Sequence, residues 1–150
     1  MIKNFGAYLA AFIDHLESKT AITTVFGTRI FAGKPVEVQD DGNGEPYLYV
    51  MLINNSEAVG DDRKGTHIKR ALLEFCIVGN GKDIPDQDLY TWLDIISNAI
   101  VTVGGDDTRI DLDGLTMQSI EEGAQSGVIR EVVENPTLLA QYSVLYKYRY

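Results

Sequence analysis

A chain of 150 residues with 45% apolar content fills one core, so a single globular domain spanning 1–150 is expected. Its 13 Lys plus Arg against 22 Asp plus Glu give a formal charge of −9, which excludes tight, counterion-driven binding to phosphate backbones. The lone cysteine, Cys76, excludes an internal disulfide, and no apolar run reaches the roughly 20 residues that span a bilayer.

The opening MIKNFGAYLAAF matches a signal peptide only in length, because Asp14, His15 and Glu17 follow it and no small-x-small cleavage site closes it. The expectation is a protein neither exported nor anchored. Phe5, Tyr8, Leu9, Phe12, Ile13 and Leu16 recur at three- and four-residue spacing, which predicts an amphipathic helix with Asn4 as its N-cap. In SKTAITTVFG, β-branched residues and a glycine break that pattern. RIFAGKP reads as a short strand stopped by Gly33 and Pro35, and EVQDDGNGE as an exposed loop. PYLYVMLINN is apolar on both faces, Tyr47, Tyr49, Met51 and Ile53 against Leu48, Val50 and Leu52, as a central strand covered on both sides requires.

Residues 54–67, NNSEAVGDDRKGTH, exceed the usual connection length and read as a long functional or mobile loop, or else the tip of a long hairpin. HIKRALLEFCIVGN alternates, with Ala71, Leu73, Phe75 and Ile77 on one face and Arg70, Glu74 and Cys76 on a wetter one. In IPDQDLYTWLDIISNAIVTV, Pro85 suits the first turn and Asp86 and Asp88 complement the helix dipole. Leu89, Trp92, Leu93, Ile96, Ala99, Ile100 and Val103 make its buried stripe. RIDL and LTMQSIEE flank Asp113-Gly114, the dipeptide of a type I′ hairpin turn. GAQSGVIREVVENP reads as a loop or a short extra pairing. The closing segment alternates, Leu138, Ala140, Tyr142, Val144, Tyr146, Tyr148 and Tyr150 against Gln141, Ser143, Lys147 and Arg149. This order predicts an α+β domain: a mostly antiparallel β-sheet with two main amphipathic helices packed on one face.

Residues with chemical potential are few. His15 and His67 have no spacing that holds a metal with the thiol, and both read as surface histidines. Cys76 lies inside a strand, where a small buried side chain is expected instead of a reactive thiolate. GNGKD lacks the ending of a phosphate loop and reads as a turn. Asp41, Asn43 and Glu45 alternate like calcium-loop ligands, but proline stands where that loop needs glycine and a strand follows. No catalytic, metal or cofactor site is assigned, and a non-enzymatic protein is expected. Charge is more informative. Every charged residue from Glu37 to Asp62 is acidic, Asp40, Asp41, Asp61 and Asp62 among them, and Arg63, Lys64, Lys69 and Arg70 follow at once. Such acidic loops are either a solvated surface or the lining of a passage through which a polyanion slides without sticking.

The order of elements resembles the tail terminator, or tail-completion, proteins of long-tailed bacteriophages. The resemblance is carried by VFGTRIFAG after a first helix, the aromatic strand EPYLYVMLI, the long strand RALLEFCIV, the helix DLYTWLDIISNAI and the tyrosine-rich, basic SVLYKYRY. It implies a structural virion protein, assembled in the host cytoplasm, that forms a ring, usually a hexamer, at the head-proximal end of the tail. Such a ring caps the tube, stops its polymerisation and offers a docking surface to the head's connector proteins, while DNA passes through its lumen unbound and no membrane is involved. Under that reading Asp40, Asp41, Asp61 and Asp62 belong to lumen-facing or docking loops, and Arg63, Lys64, Lys147 and Arg149 to contacts between subunits. A head–tail connector or tube-like subunit, and a small ligand- or peptide-binding domain of a bacterial cell, are the alternatives.

Overall fold

The computed structural model describes residues 5–35, 45–59, 66–81, 83–101, 111–112, 115–130 and 135–149. In chain order these form α1 (Phe5–Glu17), α2 (Thr20–Phe26), β1 (Ile30–Ala32), β2 (Tyr47–Val59), β3 (Thr66–Val78), α3 (Asp86–Ile100), β4 (Asp111–Leu112), β5 (Leu115–Gln125) and β6 (Thr137–Arg149). The strands build one six-stranded sheet in the order β1-β2-β3-β6-β5-β4. All pairings are antiparallel except β1 with β2, which run parallel in the register Ile30↔Leu48 to Ala32↔Val50. The predicted α+β class holds.

Among the described residues there are three helices, where two main ones were expected. α2 escapes a propensity reading because five of its seven residues are β-branched. It forms because Ile22 and Phe26, one turn apart, are both fully buried. The threonine hydroxyls turn back on the helix, Thr24 Oγ1 donating to Thr20 O at 2.7 Å. Gly27, at φ 58°, ends it, and its N–H donates to Thr23 O. α3 starts one residue later than expected, with Pro85 as its N-cap, and buries Leu89, Leu93, Ile96, Ser97 and Ile100. The proposed cap Asn4 lies outside the described residues.

Of the segment 54–67, residues 54–59 and 66–67 are the arms of a long hairpin, the second of its two readings. β2 runs on to Val59 and pairs with β3 as far as Val59↔Ile68, with irregularities at Leu52/Asn54 and Glu57/Val59. β3 pairs with β6 along its whole length, Thr66↔Arg149 to Val78↔Thr137. β4 and β5 pair Leu112↔Leu115, the spacing a two-residue turn produces; Asp113 and Gly114 themselves lie outside the described residues. In the 123–137 segment the short extra pairing is present, since β5 extends to Gln125 and Ile129 makes an isolated bridge to Thr137.

All three helices cover one sheet face. Phe12, Leu16, Ile22, Phe26, Leu89 and Ile96 meet Leu48, Val50, Leu73, Phe75, Ile77, Leu138, Tyr142 and Val144 in one core. Phe75 is its centre: its ring lies 4.6 Å from Tyr142 and 6.0 Å, edge-on, from Phe12. Tyr142 and Tyr146 are both buried, and Tyr142 joins the core that the helices cover.

Two arginines fasten the margins. Arg29 Nε donates to Pro46 O at 2.9 Å and its guanidinium meets Glu45 at 2.9 Å, which holds the start of β2 beside β1. Arg130 reaches from the β5–β6 connection to Asp86 at 2.7 Å and to Ile84 O, at the N-terminal end of α3. The GNGKD turn is tied down too, as Gly79 N–H donates to Pro136 O and Gly81 N–H to Asn135 Oδ1. A Cβ on Gly79 would sit 3.0 Å from the Ile84 side chain and 3.2 Å from the Pro136 ring, so any larger residue requires those side chains to give by a few tenths of an ångström. These two amides are therefore committed within the chain and do not face a phosphate.

His15 departs from the surface reading. It is half-buried, with its ring 6.4 Å from Phe12. Burial first, then the positive charge of Lys19, lowers its pKa below 6.5. A lowered pKa means the folded state holds fewer protons than the unfolded one. The stability it contributes is whole above about pH 6.5 and is lost as pH falls through the folded-state value. His15→Gln is expected to flatten the decline in melting temperature between about pH 7 and 5; an unchanged slope would show that His15 titrates alike in both states.

Candidate interaction surfaces

Of the residues singled out for docking and ring contacts, Asp40, Asp41, Asp61, Asp62, Arg63 and Lys64 lie outside the described residues. Lys147 and Arg149 are placed by register: Lys147 pairs with Ile68 of β3 and Thr116 of β5, and Arg149 with Thr66. Both therefore stand at the end of the sheet where the β2–β3 hairpin turns. Asp61, Asp62, Arg63 and Lys64 fall in the sequence between β2 and β3. Asp40 and Asp41 fall in the connection between β1 and β2.

The sheet face away from the helices is not uniformly wet. Tyr49, Cys76 and Val78 are buried there, with Phe31, Tyr47, Met51 and Leu139 packed around them. The Tyr47 and Tyr49 rings stack at 6.4 Å, and Phe31 meets Tyr47 edge-on at the same separation. Only farther along does the expected polar character appear, in exposed Arg70 and half-buried Glu74, Gln141 and Ser143. Burial pushes the Cys76 thiol up to about 11, partly offset by its hydrogen bond with Tyr49 and reinforced by Glu74. The same burial, with that bond to Cys76, raises Tyr49. Cys76 is thus a protonated, fully buried thiol, the opposite of a nucleophile's environment.

A second feature lies between α3 and the β5–β6 edge. Ser97 Oγ and Tyr142 Oη are hydrogen-bonded to one another inside the core. They sit at the floor of a cleft of about 100 Å³ also lined by Asp94, Glu122, Gly123 and Gln141. Burial pushes Tyr142 up to about 12, with the Ser97 bond acting against the shift and Glu122 and Asp94 with it. The cleft is well below the roughly 300–1,000 Å³ of small-molecule sites, which weighs against the metabolite-binding alternative at this place. Sequence reasoning missed the pair; its one signal was Ser97, a polar residue inside the apolar stripe of α3.

Among the described residues, no three His, Cys, Asp or Glu side chains group to hold a metal, and no helix is long and apolar enough to cross a membrane. What the described surface offers beyond that is lateral: Leu52, Ile53 and Ile129 are exposed large hydrophobics. The first two lie on β2 and the third beside the start of β6.

The chain matches no protein-family model and no curated protein sequence. Among solved structures, a chain from the virion of a native gene transfer agent particle is similar to it. The two superpose with a TM-score of 0.64 at 15% sequence identity, over 98% of this chain and 99% of the other. At that identity the likeness is one of fold, and it extends from end to end: the domain has the architecture of a subunit found in a virus-like particle.

Proposed function

We propose that this protein is a structural subunit of a phage-like virion, and specifically a tail terminator: a ring that caps the tail tube, stops its growth and presents a docking surface to the head. The observation that carries this reading is the end-to-end fold likeness to a chain of a gene transfer agent virion. The element order that resembles tail terminators supports the finer assignment. So do the acidic balance of −9, suited to a lumen that DNA crosses without binding, and the register of the basic Lys147 and Arg149 with Ile68 and Thr66 at the hairpin end of the sheet. In a cyclic ring each subunit contacts its neighbours through two different patches.

Tube polymerisation with and without the protein tests the role. Tubes of uniform length only in its presence are expected of a terminator; lengths indifferent to it, with binding to the head's portal instead, would support the connector alternative. A residue-level prediction accompanies this. Reversing Asp40, Asp41, Asp61 and Asp62 to Lys is expected to leave the fold intact, because surface substitutions usually change stability by less than about 0.5 kcal/mol each. The same variant is expected to impair DNA passage or head joining. Unchanged particle infectivity would remove these four residues from the proposal.

A further inference from the structure

The two long outer strands are each covered over only part of their length among the described residues. β1 pairs with β2 at Leu48–Val50 alone, and β2 continues to Val59 with no described strand outside it. β4 pairs with β5 at Leu115 and Thr116, and no described strand lies outside Glu121–Gln125. Backbone N–H and C=O groups at such edges template a further strand. Isolated edges are normally guarded by charge, yet Leu52 and Ile53, on the open part of β2, are 38% and 47% exposed.

The two borders are unlike. The β5 border carries exposed Glu121 and Glu122, with exposed Ile129 farther along the same side. The β2 border carries the two aliphatics and one acidic residue, Glu57, which β3 backs with Lys69 and exposed Arg70 in the registers Glu57↔Lys69 and Ser56↔Arg70. A two-fold contact would set like border on like, whereas a head-to-tail contact joins the acidic border to the apolar, basic-backed one. Strand direction agrees. β2 opposes β3, β3 opposes β6 and β6 opposes β5, so β2 and β5 run antiparallel. Copies related by rotation about an axis along the strands keep that relation, and β5 of one meets β2 of the next as an antiparallel pair.

We propose that the outer edge of β2, from Leu52 to Val59, pairs with the outer edge of β5, Glu121–Gln125, of the neighbouring copy, so that closure of the ring makes one continuous sheet. The two open segments are offset along the strand direction, and a closed sheet needs that offset, because its strands tilt and stagger. The irregularities at Leu52/Asn54 and Glu122/Gln125 keep the ladder short and in one register, which disfavours open-ended pairing. The inference deepens the ring reading and names its contact.

Paired cysteines test it: Leu52→Cys or Asn54→Cys combined with Glu122→Cys or Ala124→Cys, the native Cys76 being fully buried. Mild oxidation is expected to give a ladder of covalent multimers ending at the ring's subunit number, with single-cysteine variants yielding nothing beyond a dimer. Ile53→Asp, at an exposed position, is expected to weaken association by about tenfold or more in sedimentation velocity with unchanged thermal unfolding. A wild-type protein that assembles while all four pairs fail to cross-link, or an Ile53→Asp variant that assembles normally, would overturn the contact. Capped tubes without cross-links would retain the terminator role and discard the edge pairing; cross-linked rings that ignore tubes would do the reverse.

Discussion

Phe75→Ala is expected to destabilise the domain by about 3–5 kcal/mol, the usual cost of removing a fully buried aromatic ring. Phe75 is 0% exposed and touches both layers, edge-on to Phe12 of α1 and against Tyr142 of β6. Its loss removes apolar burial and leaves a cavity that two helices and a sheet cannot jointly close. For a domain of this size the loss is a large part of a total stability of roughly 5–15 kcal/mol and corresponds to a fall in melting temperature of roughly 6–20 °C. Phe31→Ala is the comparison. It removes the same ring from the helix-free face, where burial is incomplete, and is expected to cost about 1–2 kcal/mol. Equal losses at the two positions, read by chemical denaturation, would mean that the helix-covered face is not the dominant core.

The second large effect belongs to the Ser97–Tyr142 pair. Tyr142→Phe strands a buried serine hydroxyl and Ser97→Ala a buried phenol, each at about 1–3 kcal/mol. The double variant removes both polar groups together and is expected to cost less than the sum, with a coupling of about 0.5–3 kcal/mol. Additive single effects would mean that the two hydroxyls do not depend on one another. Alkaline titration offers an independent reading. Burial raises Tyr142 from 10.0 to about 12, so the folded state keeps a proton that the unfolded state releases. The stability is whole below about pH 10 and is lost as pH rises through about 12, and Tyr142→Phe should make that limb shallower. Tyr49 and Cys76, also raised, keep part of the slope in either case.

Periodicity made most of the fold legible. The alternation of Ala71, Leu73, Phe75 and Ile77 located β3 and its core face, and the stripe from Leu89 to Ile100 located α3. What local pattern cannot carry is pairing across distance. The parallel β1–β2 contact joins residues separated by the unpatterned 36–44 connection, and the meeting of Ser97 with Tyr142 spans 45 positions. α2 was hidden for a different reason: burial of Ile22 and Phe26 overrides the weak helix propensity of Thr20, Thr23, Thr24 and Val25. The polar stretch 54–59 read as loop because its residues lack apolar alternation, yet backbone pairing with β3 carries the strand through it. For the candidate interaction residues, sequence gave types and charge, while only topology showed that the hairpin turn and the end of β6 share one end of the sheet.

That arrangement bears on the basic residues of the last strand. Lys147 and Arg149 lie in register with Ile68 and Thr66, beside the strand leading from Asp61 to Lys64, on a protein whose other charge is predominantly acidic.

Electron microscopy of the protein mixed with purified tail tubes tests the central claim most directly. A terminator gives a ring at one end of each tube and nowhere else. Tubes whose two ends are alike, bare or decorated equally, would contradict it.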